Sequence, residues 1–402
     1  MEQLRLRLAE HKDAEQLLAA EREAADYRFD TELPPYGLPV DYQLTRIREK
    51  INNPDTMDGL YVIETTDNRL VAGFLLGHAF ARNSFADLEF MMRREERERH
   101  GPVALRLAAD YAFNELNIRK LNIRVKSGAA ADTKFFYQAG FRRELTLREH
   151  YYRQGSYETI YQLGLLRGDS AGANGADAET GRDERAGKDN DNGRSLDAEV
   201  AVSPDEDHLL HSTVSPIKPL LTGEGVNLLP VTAADAEKLY ESNLFSDEKL
   251  YGFLSAAAPA EREFFLKRAN RKNDWASFKE SVSFGIKTKE GGIIGTISGM
   301  FIDTRNRNMM LGLGISAPTE RGKGYGRQAI ELFVDFAFLE MNMHRVYLGC
   351  FAFNEKAARL YERIGFRPEG VNRNFVYRNG NYYDEFAFGV TKKEWLTLRG
   401  YL

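Results

Sequence analysis

At 402 residues, 43 % of them hydrophobic, the chain exceeds one ordinary domain and carries enough apolar material for real cores. Its formal net charge of -5 argues against wholesale binding to nucleic acid or to an anionic membrane surface. The single cysteine, Cys350, excludes an intrachain disulfide and a cysteine-cluster zinc site.

The opening stretch, MEQLRLRLAEHKDAEQLL, bears charges early and has no long apolar run, so no secretory signal and a cytoplasmic location are expected. No run of about 18 apolar residues follows, so no membrane span is expected. Asp26 to Ile47 is aromatic and proline-rich and reads as a broken helical connection or as part of a substrate cleft. Arg167 to Ser212 is dominated by Gly, Ala, Asp, Asn and Ser without an aromatic residue. Such a composition cannot bury enough apolar surface to offset chain entropy, so 167–222 reads as a flexible linker.

The flanking pieces, 1–166 and 223–402, form an internal repeat at a constant offset. Gly326, Asp335, Phe338, Asn342, Gly365 and Phe366 each have an identical residue 225 positions earlier. In the second copy, LLPV predicts a strand and Thr232 caps a helix that follows it. Three strands come next, with turns at KEGG and DTRNRN. A glycine-rich turn then leads into the helix RQAIELFVDFAFLEM. The strand RVYLGCFA, the short helix NEKAARLYERI with Gly365 past its end, and a hairpin turned at Asn379-Gly380 complete the unit. The expected class is α/β (α+β), as two tandem domains, each a central mixed, mostly antiparallel sheet flanked by helices.

RGKGYG, Arg321 to Gly326, lies just before a helix. Unpaired first-turn amides and the helix dipole make that position an anion site, and glycines let a ligand approach the backbone. Pyrophosphate is the natural ligand. The turn lacks the GK[ST] ending of a P-loop and the G-x-G-x-x-G spacing of a dinucleotide site.

The stretch from Gly312 to Gly370 resembles the GNAT acetyltransferase superfamily. It carries that family's R/Q-x-x-G-x-G/A turn as Arg321 to Gly326, and its N-x-x-A-x-x-x-Y-x-x-x-GF pattern as Asn354, Ala357, Tyr361, Gly365 and Phe366. The closing hairpin resembles the branch of ribosomal-protein alanine and spermidine acetyltransferases. The resemblance implies acetyl-CoA as co-substrate. Amides of Arg321, Gly322, Lys323, Gly324, Tyr325 and Gly326 would hold its pyrophosphate. Ile315 and Ser316 would pair with the pantetheine arm, and Asn354 would face the coenzyme. Tyr361 would protonate the departing thiolate, a role that a phenol of ordinary pKa near 10 can fill. An amide near Ser316 would stabilise the oxyanion.

A base is less evident, because RVYLGCFA offers no carboxylate. Asp384 and Glu280 are candidates, as is water-mediated deprotonation. Cys350 lacks a histidine partner for nucleophilic catalysis.

In the first copy Glu96, Arg97, Glu98, Arg99 and His100 replace all of this turn except Gly101. Ala129 stands for Asn354, and Phe136 for Tyr361. The first half therefore reads as a degenerate copy, paired with the second in an intrachain pseudo-dimer or in a homo-oligomer. The expected acceptor is a primary amine: a small metabolite, a polyamine or aminoglycoside-like compound, or a protein N-terminus. Alternatives are a tRNA-dependent aminoacyl transferase, poorly suited to a net acidic chain, and a non-catalytic acyl-CoA sensor or scaffold.

Overall fold

The computed structural model describes residues 3–24, 39–52, 59–80, 84–153, 155–169, 221–241, 262, 263, 266 and 281–401. Most of the stretch read as linker, and Glu280, lie outside the described residues.

The first half runs β1 (Leu4–Leu8), α1 (Ala14–Glu23), α2 (Val40–Asn52), β2 (Tyr61–Thr65), β3 (Leu70–Phe80), β4 (Phe85–Met92), α3 (Arg94–Asn114), β5 (Lys120–Lys126), α4 (Ala130–Gln138), β6 (Arg142–Arg153) and β7 (Ser156–Leu166). The second half repeats the theme. Its elements are β8 (Val226–Leu229), α5 (Ala233–Glu241), β9 (Ser281–Thr288), β10 (Ile293–Asp303), β11 (Asn308–Ile315), α6 (Tyr325–Leu339), β12 (Arg345–Phe351), α7 (Glu355–Arg363), β13 (Arg367–Arg378), β14 (Asn381–Thr391) and α8 (Lys392–Leu398).

Local chemistry accounts for these elements. Helix α6 buries Ala329, Ile330, Phe333, Val334, Ala337 and Phe338, a stripe at helical spacing that seats it on the second core. Thr232 and Asp235 cap α5 reciprocally, the Asp235 amide donating to Thr232 Oγ1 at 3.2 Å and the Thr232 amide to Asp235 Oδ2 at 2.9 Å. Helix α7 stops at Gly365, φ 108°, where the Phe366 amide donates back to Tyr361 O and the Gly365 amide to Glu362 O. Asn379 and Gly380, φ 46° and 79°, turn the β13–β14 hairpin. In the first half, successive residues of β2 serve opposite faces: Val62 packs with α1 and α2, Ile63 with α3.

The fourteen strands of the described residues form one sheet in the order β1-β2-β3-β4-β5-β7-β6-β13-β14-β12-β11-β10-β9-β8. Only β4–β5 and β11–β12 are parallel, and each pairs over just three residues before its strands part. The halves join where β6 meets β13, at the single pair Leu145↔Gly370. These residues are 225 positions apart, so equivalent residues face each other, as at a two-fold axis.

The ion pairs around the joint repeat with the same symmetry. Lys120 Nζ sits 2.6 Å from Glu144, and Arg373 of the other half adds a second contact at 2.8 Å. Their equivalents are Arg345 on Glu369, joined by Arg148 of the first half. Arg373 also pairs with Asp169, and Arg148 with Glu394, again equivalent residues. Asp169 thus lies within the fold, so the first residues of the segment read as linker are structural.

Candidate active site

Beyond Met310 and Tyr347, β11 and β12 separate. Every residue from Leu311 to Ile315 pairs with β10, but none with β12. Because strand amides alternate sides, some backbone groups of Leu311–Ile315 face the gap as a free edge. This is the stretch where the sequence places the pantetheine arm. Two details differ from expectation. The Ser316 amide donates to Ile294 O at 2.8 Å, so it is engaged within the sheet rather than offered to an oxyanion. The Arg321 guanidinium turns back, donating to Ile315 O at 2.9 Å and Ser316 O at 3.1 Å, so this side chain braces the turn.

The glycine turn is an open cradle. Gly322 and Gly324 have φ of 80° and 87°, a region that L side chains rarely adopt, and a Cβ at either would meet nothing within 4 Å. Gly324 is the N-cap of α6 and supplies no side chain to its first-turn amides. Lys323 stands at the rim, 3.0 Å from Glu320. Tyr325 begins the helix and packs on the second core. A Cβ at Gly326 would make only ordinary contacts, with Leu313 and Ile315. Free amides, left-handed glycines and an empty approach fit a pyrophosphate.

Asn354 caps α7, its side chain accepting from the Ala357 amide at 3.3 Å. Two turns on, Tyr361 packs with Phe366 and Phe388, and its hydroxyl has no protein hydrogen-bond partner among the described residues. Burial pushes the phenol up, with Cys350 adding to the effect, so it stays protonated and able to donate. Burial and the neighbouring Glu385 push the Cys350 thiol up to about 11. Its sulfur lies 3.5 Å from Asn354 O, so it is not an activated nucleophile. Asp384 accepts the Asn374 amide at 2.8 Å, where φ is 51°, and so pins the bulge of β13.

The structure adds Glu385. It is buried on β14 opposite Phe351, at the end of β12. The alternation in YYDEFAFGV places Asp384 and Glu385 on opposite faces, but the sequence does not say which face meets the gap.

The first half shows what the same region becomes without its glycines. Helix α3 starts at Arg94, whereas α6 starts at Tyr325, whose equivalent is His100, so the turn has been wound into helix. The Glu96 carboxylate is buried there against Arg69 and His100. Helices α3 and α4 touch: a Cβ on Gly101 would lie 2.8 Å from the Phe135 ring. Phe136, in the place of Tyr361, is fully buried.

The profile of the family described as Acetyltransferase (GNAT) domain matches residues 3–142 and again 226–367. The putative ribosomal N-acetyltransferase YdaF of Bacillus subtilis is 30 % identical over 176 residues, 43 % of this chain and 94 % of that protein. A spermidine N(1)-acetyltransferase of Vibrio cholerae is 30 % identical over 113 residues, 28 % of this chain and 65 % of that protein. A solved spermidine N-acetyltransferase from Vibrio cholerae, in complex with CoA and spermine, aligns with 42 % of this chain and 98 % of its own at 23 % identity and a TM-score of 0.39.

Proposed function

Because the chain belongs to the acetyltransferase (GNAT) domain family, and is therefore an N-acetyltransferase that uses acetyl-CoA, we propose that its C-terminal half, 223–402, carries the reaction. The N-terminal half, 1–166, is then a non-catalytic partner, with 167–222 between them. One contrast carries this reading: the cradle at Gly322 and Gly324 is open, whereas its counterpart at Glu96–Arg99 is helix with a buried carboxylate. A buried carboxylate and extra side chains repel an anion that the open turn attracts.

The acceptor is a primary amine. The names of the relatives, ribosomal and spermidine acetyltransferases, support a protein N-terminus or a polyamine. Acetyl-CoA supplies the activated thioester. The amides from Arg321 to Gly326 hold the pyrophosphate, and the edge of β11 that β12 leaves unpaired, up to Ile315, whose carbonyl Arg321 holds, aligns the arm. Asn354 shapes the coenzyme side by capping α7. Tyr361 gives a proton to the departing thiolate, and the hydroxyl's lack of a protein partner among the described residues supports that role. Asp384 acts through the hairpin it pins, as a positioning residue.

Calorimetric titration of coenzyme A tests the division of labour. Wild type binds one equivalent per chain. Gly324→Glu abolishes binding, whereas Arg99→Glu, at the equivalent exposed position of the first half, leaves it intact. Two equivalents, or loss with Arg99→Glu, would sink the assignment of the first half as non-catalytic.

A further inference from the structure

Three buried carboxylates of the central strands press against glycines of a neighbouring strand: Glu144 on Gly164, Glu369 on Gly389 and Glu385 on Gly349. The first two are ion-paired with two cations each, Lys120 and Arg373, and Arg345 and Arg148. Glu385 is the exception. Its hydrogen-bond partner is an amide, Asn372 Nδ2 at 2.9 Å, and among the described residues no Lys, Arg or His lies within ion-pair distance. Asn372 is held in turn by Gln162 Nε2 of the first half, at 2.7 Å. A buried carboxylate without a counter-ion is costly, and a cationic ligand beside it offsets that cost.

The location is informative. Phe386 and Phe388 of β14 point into the core beneath α6 and α7, so Glu385 lies on the other face of the sheet. Gly314 and Gly349 share that face, because Leu313, Leu348 and Cys350 point inward. A Cβ at Gly314 would meet nothing within 4 Å. The gap between β11 and β12 thus has Tyr361 behind it on the helical face and Glu385 on the opposite, glycine-lined face.

We propose that Glu385 is the acceptor-side catalytic carboxylate, which binds the ammonium of the incoming amine and takes its proton. This rests on acetyl transfer by the C-terminal half. Two protons leave the nitrogen in all. The first passes to Glu385, freeing the lone pair. As the N–C bond forms and the C–S bond breaks, Tyr361 protonates the sulfur. The second amine proton is lost to solvent, and Tyr361 recovers a proton from solvent. Glu385 then releases its proton to bulk.

Asn372 from β13 bonds Glu385 on its own face, Lys120 from β5, already paired with Glu144, adds its charge beyond ion-pair distance, and Cys350 from β12 is felt from the opposite face of the sheet. Burial pushes the Glu385 carboxyl up to about 7, suited to a base at neutral pH.

The test compares wild type with Glu385→Gln, using acetyl-CoA with spermidine and with a free-amine dipeptide, and following thiol release from pH 5.5 to 9. Wild-type kcat/KM rises with pH through about 7. Glu385→Gln lowers it roughly 100-fold and flattens the rise, while calorimetric coenzyme A affinity is unchanged. An unchanged rate and profile in Glu385→Gln overturns the proposal. A second readout needs no turnover. The infrared band of the protonated Glu385 carboxyl, identified by its absence from Glu385→Gln, has a midpoint near neutral pH. That midpoint falls when butylammonium is added with coenzyme A. A midpoint that butylammonium does not move overturns the ammonium site. If the band responds but neither amine is acetylated, Glu385 stands as an ammonium ligand, and acetyl transfer to these amines falls instead.

Discussion

Glu385 weakens the protein that holds it. Its carboxyl, ordinarily near 4.5, is pushed up to about 7 by burial, so the folded state binds a proton more tightly than the unfolded chain. The sign follows directly. Below about 4.5 both states are protonated and the native state incurs no penalty. Between about 4.5 and 7 the unfolded chain ionises while Glu385 does not, and stability falls as pH rises. Above about 7 the penalty is constant, on the order of 3 kcal/mol for a shift of this size. Glu385→Gln should therefore unfold at a higher temperature than wild type at pH 8 and show little gain at pH 4.5, by calorimetry at both pH values. A variant that is more stable yet less active marks a group kept for chemistry, whereas a purely structural carboxylate would lose stability when neutralised. Tyr361 illustrates the converse: the same burial that raises its pKa keeps it a proton donor.

Between elements, the two halves differ chiefly in how closely a long helix approaches a short one. Gly101 lets α3 close on Phe135 of α4, while Gly326, its equivalent on α6, has room for a Cβ. One substitution at two equivalent positions therefore has a cost in one half and none in the other. Gly101→Ala forces the Phe135 ring aside and costs about 1–3 kcal/mol in a denaturant titration, with no effect on coenzyme A affinity. Gly326→Ala, whose Cβ makes only ordinary contacts with Leu313 and Ile315, leaves stability within about 0.5 kcal/mol and coenzyme A binding intact, as the G/A alternative of the turn implies. Equal destabilisation by both would contradict the geometry.

Across the whole molecule, the joint at Leu145↔Gly370 is nearly two-fold, and its departures from symmetry lie at the centre. One side is apolar, with Leu147 and Ile160 beside Ala387; the equivalent positions on the other side are Asn372, Glu385 and Gln162. Two second halves joined the same way would bring Asn372 and Glu385 together without Gln162, and two first halves would leave Gln162 without Asn372. The pairing of unlike halves is thereby favoured over either like pairing. Buried carboxylates shared across the joint strengthen it: losing Arg373 or Arg148 would leave Glu144 or Glu369 with a single cation. Cutting a protease site inserted between residues 180 and 200 should leave the halves co-eluting in gel filtration at 0.15 M salt. Arg148→Ala combined with Arg373→Ala should let them separate after the same cut. Separation of the cut wild type would mean that the ionic joint does not hold the halves together.

The sequence by itself determined the repeat, the class of each half and the position of the glycine turn before α6, because these rest on local rules. A helical stripe in α6, a left-handed glycine at Gly324 and a capping residue at Thr232 act within a few neighbours, and their spacing survives in the linear order. It also marked Phe136 and Glu96–Arg99 as departures from the second copy. Only the tertiary structure decided what those departures do: the turn winds into α3, and Phe135 closes on Gly101. It alone bonded the Ser316 amide to Ile294 and turned Arg321 onto the backbone. It alone separated the three buried carboxylates into two with cations and one without. The reason is physical. Whether a carboxylate has a counter-ion depends on other strands: for Glu144 these are β5, which brings Lys120 from 24 residues away, and β13, which brings Arg373 from 229 away. Strand alternation tells which residues share a face but not which face meets a gap, and that face is chosen by the packing of α6 and α7 against one side of the sheet.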